Sequence, residues 1–166
     1  MSIIEKRISI RKFNHKEIAK ENILRIVESG MIAPSSKDNK PWQFIILDDK
    51  KLIEKVATFH KNWITLKKAN KVIIVCGDLG CDAREPHVVM ACSAATENIL
   101  LKATELEIGS VWLGAYPDEV RLQALKEEFN LPSNIVPISV IALGYYDDKN
   151  IRERKINSEK IHFNKW

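Results

Sequence analysis

Two arginines and a serine alternate with isoleucines near the start of the chain, in the string RISIRKF at residues 7–13. If this segment is extended, Arg7, Ser9 and Arg11 share one face, because successive side chains of a strand point to opposite sides. Guanidinium groups and a hydroxyl donate hydrogen bonds to anionic oxygens, and the positive charges neutralise a phosphate. The pattern therefore predicts an anion-binding site or, alternatively, a surface strand whose charged side chains face solvent.

A second candidate is the string APSSKDNKPW at residues 33–42. Turn-forming residues this dense predict an ordered loop, and its two prolines restrain the backbone. Hydroxyls, a carboxylate and an amide on a rigid loop suit directional recognition of a heteroaromatic ring or a polyol, although an ordinary helix-to-strand turn has the same composition. The candidate residues of the loop are Pro34, Ser35, Ser36, Asp38 and Asn39.

The positive charge is concentrated at the two ends of the chain, although the formal net charge is only +4. Residues 1–20 and the tail from residue 149 each hold six basic and two acidic side chains, and the remainder holds 14 basic and 18 acidic ones. This distribution is typical of solvated termini, of two ends that converge on one anion, or of a nucleic-acid surface. Because the aromatic-rich basic signature of nucleic-acid readers is absent, we expect no nucleic-acid partner.

Composition and length exclude several classes of protein. The 166 residues are 45% hydrophobic and suit one compact domain, so we treat 1–166 as a single unit. No apolar run approaches the roughly 20 residues of a membrane-spanning helix, and the N-terminus lacks a secretory signal. Three cysteines without C-x-x-C spacing argue against a disulfide framework. Cys81 and His87 lack further ligands nearby, so we expect no metal, and we predict a cytoplasmic protein.

Hydrophobic periodicity predicts four helices and four strands. Gly30 and Gly109 are expected to end the helices that precede them. Strands alternating with helices suggest, by order alone, a parallel α/β sheet, although element order does not fix strand direction. The predicted helices cover residues 20–31, 50–63, 88–106 and 117–129, and the predicted strands cover residues 42–47, 71–78, 110–116 and 135–146.

Five strings in order along nearly the whole chain together resemble the nitroreductase family of FMN-dependent oxidoreductases, in its short single-domain form. The resemblance implies an α+β fold, a nitroreductase-like α/β sandwich with a mixed, mostly antiparallel sheet flanked by helices. It also implies an intertwined homodimer with two FMN sites, each built from both chains. The strings are RISIRKF at 7–13, APSSKDNKPWQFIIL at 33–47, CSAATENILLKATELEIGSVWLGAYP at 92–117, NLPSNIVPISVIALGYY at 130–146 and RKINSEKIHFNKW at 154–166.

The resemblance assigns the basic ends to the FMN phosphate. Arg7, Ser9 and Arg11 match the family string Arg-x-Ser-x-Arg, whose first positions hold the phosphate and the ribityl chain. Arg11 would approach the N1/O2 edge of the flavin. Arg154 matches the tail arginine on the phosphate, with Arg152 as a second candidate.

The resemblance assigns two further segments to the flavin ring. Pro34, Ser35 and Ser36 match the Pro-Ser-Ser/Ala loop beside the ring. Leu113 and Gly114 match the strand end whose backbone faces the isoalloxazine.

The loop departs from the family pattern Asn-x-Gln-Pro-Trp. Counted back from Pro41, the flavin-contacting Asn falls on Asp38 and the Gln falls on Lys40. Because a carboxylate cannot donate a hydrogen bond as an amide does, either Asn39 takes the place of Asn by a shift in the turn or the ring contacts differ.

The activity implied by the resemblance is an FMN-dependent oxidoreductase that passes a hydride from NADH or NADPH through flavin N5 to a small nitroaromatic or quinone-type acceptor, by a ping-pong mechanism. Arg11 would act as an electrostatic stabiliser, and no protein acid or base is required. One alternative keeps FMN for a specialised reaction, either metabolite dehydrogenation or reductive removal of a substituent. The other is a non-enzymatic anion- or nucleic-acid-binding module.

Overall fold

A computed structural model describes residues 2–147 and 157–166 as an α+β fold. No helix in these two ranges is both long and apolar enough to cross a membrane. The strands are β1 (Trp42–Leu47), β2 (Lys71–Asp78), β3 (Gly109–Gly114) and β4 (Ile135–Gly144). The helices are α1 (Ile3–Lys6), α2 (Lys20–Met31), α3 (Lys50–Val56), α4 (Glu85–Glu105) and α5 (Glu119–Glu128), with 3-10 turns at Ser36–Asp38, Lys61–Lys68 and Ser158–Lys160.

The four strands form one sheet in the order β1-β2-β4-β3, and each neighbouring pair is antiparallel. A single parallel bridge between Ser9 and Ser110 adds the N-terminal segment beside β3, so the sheet is mixed and mostly antiparallel. The parallel sheet suggested by element order is therefore wrong. The helix α4 does join two strands of the same direction, β2 and β3, but β4 inserts between them and pairs with both.

Both faces of the sheet are buried, which makes the molecule a sandwich of helices around strands. Alternate residues of the central strands enter different cores, because side chains of a strand point to opposite faces. Ile73 and Ile141 pack into the core beneath α2 and α4, whereas Ile74 and Val140 pack into the one that includes α3 and α5. Burial on both faces explains why β2 and β4 have nearly continuous apolar sequences.

Several element boundaries differ from the predicted ones. The predicted helix 50–63 ends at Val56 and continues as the 3-10 turn Lys61–Lys68. Gly30 lies within the last turn of α2, which is capped by Ile32. The last helix begins after Asp118, whose side chain caps it by accepting a hydrogen bond from the Arg121 amide.

Gly109 opens β3 instead of capping α4. The cap is Leu106, and the left-handed residue that follows is Glu107, with φ of 57°. Gly109 is small for a different reason: a Cβ there would lie 2.7 Å from Tyr146 Cδ1 and 2.9 Å from Ile10 Cγ2. The glycine therefore lets the N-terminal segment approach the end of the sheet.

Candidate functional site

The segment after α1 runs along the edge of the sheet beside β3. The Ile10 amide donates to the Ser110 carbonyl at 2.9 Å, next to the bridge between Ser9 and Ser110. Ser9 and Arg11 are exposed, whereas Ile8 and Ile10 are partly buried. The predicted alternation is therefore present from Ile8 to Arg11, with Ser9 and Arg11 directed to solvent, whereas Arg7 is partly buried.

Arg7 lies at the start of this segment and contacts the long helix α4. Its Nε is 3.4 Å from Oε1 of Glu97, and its side chain is only 19% exposed. The Arg7 guanidinium therefore contacts the middle of α4. Arg7 itself precedes Ser9 by two residues in the sequence. Arg154, the predicted basic partner from the tail, lies outside the described residues.

The loop at residues 34–41 is ordered, as its composition predicts. Lys37, Asp38 and Lys40 all adopt left-handed backbone conformations, with φ of 53°, 55° and 48°. The Ser35 hydroxyl accepts a hydrogen bond from the Lys40 amide at 3.0 Å, which closes the loop. The loop forms one side of a cavity of about 410 Å³, lined by Pro34, Ser35, Ser36, His87, Met90, Ala91 and Ala94.

The two candidates for the amide position of the loop have different environments. Asp38 is exposed and lies 3.0 Å from the Lys40 ammonium. Asn39 is partly buried, and its Nδ2 donates to Oδ2 of Asp82 at 3.3 Å. Only Asn39 is therefore connected to the residues at the start of α4.

Asp82 is the centre of a polar network that the sequence reasoning missed. Its side chain is 6% exposed and accepts hydrogen bonds from Arg84 Nε at 2.8 Å and Nη2 at 2.6 Å. The same Nη2 lies 3.3 Å from the Ser36 hydroxyl. The network ties the loop to the chain that leads into α4, and the Arg84 guanidinium holds the pKa of Asp82 well below its usual range.

This network predicts an acid-sensitive contribution to stability. A carboxyl whose pKa is depressed by folding stabilises the native state above its unfolded pKa, about 3.9, and that stabilisation is lost as the pH falls below this value. We expect Asp82→Asn to lower the urea midpoint of unfolding at pH 7 and pH 5. The difference in midpoint between the variant and the wild type should be smaller at pH 3. Asp48→Asn, an exposed carboxylate, is the control. A gap of the same size at all three pH values would contradict the assignment.

The end of β3 is fixed by a second missed residue, Arg121. Its Nη1 donates to the Gly114 carbonyl at 2.7 Å, and its Nη2 lies 3.0 Å from His60 Nε2. Its Nε is 3.2 Å from Oδ2 of Asp118, an ion-pair distance without hydrogen-bond geometry. A Cβ on Gly114 would find no atom nearer than 3.9 Å, so the strand end borders open space. Leu113, the other residue predicted there, is buried.

The contact made by Arg7 lies close to the cavity along α4. Glu97, the partner of Arg7, lies three residues beyond Ala94, a lining residue of the cavity, which corresponds to about 4.5 Å along the helix. Ser110 and Gly114, the second and last residues of β3, are about 13 Å apart along the strand.

Comparison with known proteins places this arrangement in a family. The profile of the nitroreductase family matches residues 4–80 and 65–145. A protein of Archaeoglobus fulgidus, provisionally named an NADH dehydrogenase/NAD(P)H nitroreductase, is 41% identical over 171 residues, which cover 100% of this chain and 98% of that protein.

Two solved structures extend the likeness to the fold. One, provisionally named an NADH oxidase from Clostridium acetobutylicum, is 39% identical with a TM-score of 0.94, over 99% of this chain and 100% of that one. The other, an FMN-dependent nitroreductase from Clostridium difficile R20291, is 28% identical with a TM-score of 0.90, over 99% and 98% of the two chains. With the α+β sandwich and the ordered Pro-Ser-Ser loop in place, the chain belongs to the nitroreductase family.

Proposed function

We propose that this protein is an FMN-dependent oxidoreductase that moves a hydride from NADH or NADPH to a nitroaromatic or quinone-type acceptor in a ping-pong cycle. The observation that carries the proposal is the exposed face of Ser9 and Arg11 beside β3, at whose far end Arg121 holds the Gly114 carbonyl. FMN supplies the chemistry when bound, because its N5 accepts and then releases a hydride. The family membership and the FMN dependence of the Clostridium difficile relative support this assignment.

The N-terminal segment is assigned to the phosphate and ribityl end of FMN. Arg7 and Ser9 donate hydrogen bonds there, and Arg154 of the tail supplies a second positive charge. Charge-assisted bonds from guanidinium to phosphate are about twice as strong as neutral ones, so they supply much of the affinity. Arg7 also contacts Glu97, which orients its side chain along α4.

The ring end of FMN is assigned to Arg11, to the backbone of Leu113 and Gly114, and to the loop Pro34–Ser36. Arg11 is exposed, so its guanidinium can approach the ring and stabilise the negative charge that develops there. Arg121 donates a hydrogen bond to the Gly114 carbonyl, which stabilises the end of the strand. Either Asn39 or Asp38 fills the amide position of the loop, and the burial of Asn39 favours the former.

A homodimer is part of the proposal. The described tail exposes three large apolar side chains, with Phe163 at 86% and Trp166 at 101% beside Ile161 at 51%. Such exposure is typical of residues that pack against a partner.

We further propose one domain over 1–166 and, from its three free cysteines, a cytoplasmic protein.

The test is the absorption spectrum of the purified protein before and after FMN is added. We expect a yellow protein with flavin bands in the visible range that bleach when NADH or NADPH is added without oxygen, and that return when 1,4-benzoquinone is added. A colourless protein that takes up no FMN and binds polyanions in a salt-sensitive manner would contradict the proposal and favour a non-enzymatic anion-binding module.

A further inference from the structure

The imidazole of His87 lies at the edge of the cavity beside Ser36. It lies in the first turn of α4, and its side chain is 34% exposed. Its Nδ1 is buried and makes no hydrogen bond within residues 2–147 and 157–166. A polar ring atom buried without a partner is costly, so its position calls for an explanation.

Asp82 supplies part of that explanation, because its Oδ2 lies 3.8 Å from His87 Nδ1. This is an ion-pair distance when the ring is protonated, and slightly beyond the range of a hydrogen bond. The carboxylate is itself fixed by two nitrogens of Arg84 and by Asn39. Nδ1 therefore faces a rigid anion, and Nε2 is the nitrogen left for a ligand.

The rest of the cavity wall on α4 is apolar and follows one helix face. His87, Met90, Ala91 and Ala94 are spaced i, i+3, i+4 and i+7, so they form one stripe, with His87 at its amino end. The two alanines leave room for a flat ring, and Met90 is 61% exposed. This stripe combines an apolar surface for an aromatic ring with a single titratable group, which is the usual composition of a site for a small aromatic molecule.

We propose that this stripe binds a quinone acceptor and that His87, positioned by Asp82, donates the proton that the quinone requires. The proposal rests on the proposed function, which supplies the hydride from NADH or NADPH. The hydride brings two electrons and one hydrogen to one quinone oxygen. The N–H bond of the His87 imidazolium breaks, a bond from that hydrogen to the second quinone oxygen forms, and the product is the hydroquinone. The neutral imidazole then takes a proton from solvent.

The kinetic test uses the FMN-loaded enzyme, reduced with NADH and mixed with 1,4-benzoquinone. General acid catalysis contributes about 10²- to 10⁴-fold, so His87→Gln is expected to slow reoxidation at least about 100-fold and to remove the solvent deuterium isotope effect. Asp82→Asn is expected to slow it less, with recovery in Asp82→Glu. In His87→Gln the loss in reoxidation by the quinone should exceed any loss in reduction by NADH. The control is His15→Gln, an exposed histidine beside Lys68 and Lys71, away from this cavity.

A binding test keeps the proposal open to refutation without turnover. The chain has only four histidines, so their C2–H signals in a proton NMR spectrum are assigned by substitution. Hydroquinone is expected to shift the His87 signal of the wild-type protein and to bind His87→Gln up to about tenfold more weakly. Unchanged reoxidation in His87→Gln, or hydroquinone binding that leaves the His87 signal in place, would overturn the proposal.

The two proposals fail in different ways. A protein that takes up no FMN refutes the proposed function. The hydroquinone titration of that colourless protein still shows whether the stripe on α4 binds hydroquinone. If the protein is yellow and is reduced by NADH, but hydroquinone does not shift the His87 C2–H signal, only the role of His87 is refuted. If His87→Gln does not fold, the titration of the wild-type protein gives the answer.

Discussion

Arg11→Ala is expected to slow the reduction of the bound flavin by NADH or NADPH about 10²- to 10³-fold and to weaken FMN binding only a few-fold. The side chain is exposed beside β3 and is assigned to the edge of the ring where negative charge develops. Removing one preorganised donor from a developing charge costs about that much in other enzymes. Stopped-flow absorbance under anaerobic conditions measures the rate, and titration of the protein without FMN measures the affinity.

Arg7→Ala is expected to give the opposite pattern, with FMN binding about 10- to 100-fold weaker and the reduction rate of the loaded enzyme nearly unchanged. Hydrogen bonds to charged groups are worth about 1.5–3 kcal/mol, and Arg7 is assigned to the phosphate, away from the reacting ring. Lys12→Ala, an exposed neighbouring base, is the control for a general loss of positive charge. Equal effects of the Arg7 and Arg11 variants on both quantities would refute this division of roles.

Replacing both Phe163 and Trp166 with alanine is expected to convert the protein from a dimer of about twice 19.0 kDa into a monomer at micromolar concentration. Buried aromatic residues at interfaces each contribute about 2 kcal/mol or more, so the dimer dissociation constant should rise at least about 30-fold per side chain. Both side chains are almost fully exposed in the single chain, so the fold of the subunit should persist. Light scattering after size-exclusion chromatography gives the mass.

FMN should be lost together with the dimer, because the proposed sites use both chains. Lys160→Ala, an exposed residue of the same tail, is the control and should remain dimeric and yellow. A wild-type protein that is already monomeric, or a double variant that remains dimeric with full FMN content, would show that the tail does not hold the subunits together.

Much of the candidate site could be predicted because its signals are local. The alternation of Arg7, Ser9 and Arg11 with isoleucines predicts an extended segment with one apolar face, and that segment lies beside β3. Turn-forming residues predict the ordered loop from Pro34, which a serine hydroxyl closes. In both segments the residues that set the backbone conformation are also the candidate site residues. No contact with a distant segment is therefore needed to predict them.

The missed residues depend on contacts between segments far apart in sequence. Asp82 acquires its role from Asn39, 43 positions away, and Arg121 from the Gly114 carbonyl and His60, 61 positions away. An aspartate before a helix and an arginine in its first turn have ordinary local functions, so their types and spacing gave no reason to single them out.

The amino-acid sequence by itself determined approximately where the four strands and the helices α2 to α5 lie, and which segments carry polar groups for a ligand, because hydrophobic periodicity and turn chemistry act over a few residues. Only the tertiary structure decided that β4 pairs between β2 and β3, and that His87 and Asp82 meet beside the Ser36 loop. Strand pairing and side-chain contact depend on how the whole chain packs. The same local patterns are compatible with a parallel sheet, in which these residues need not meet.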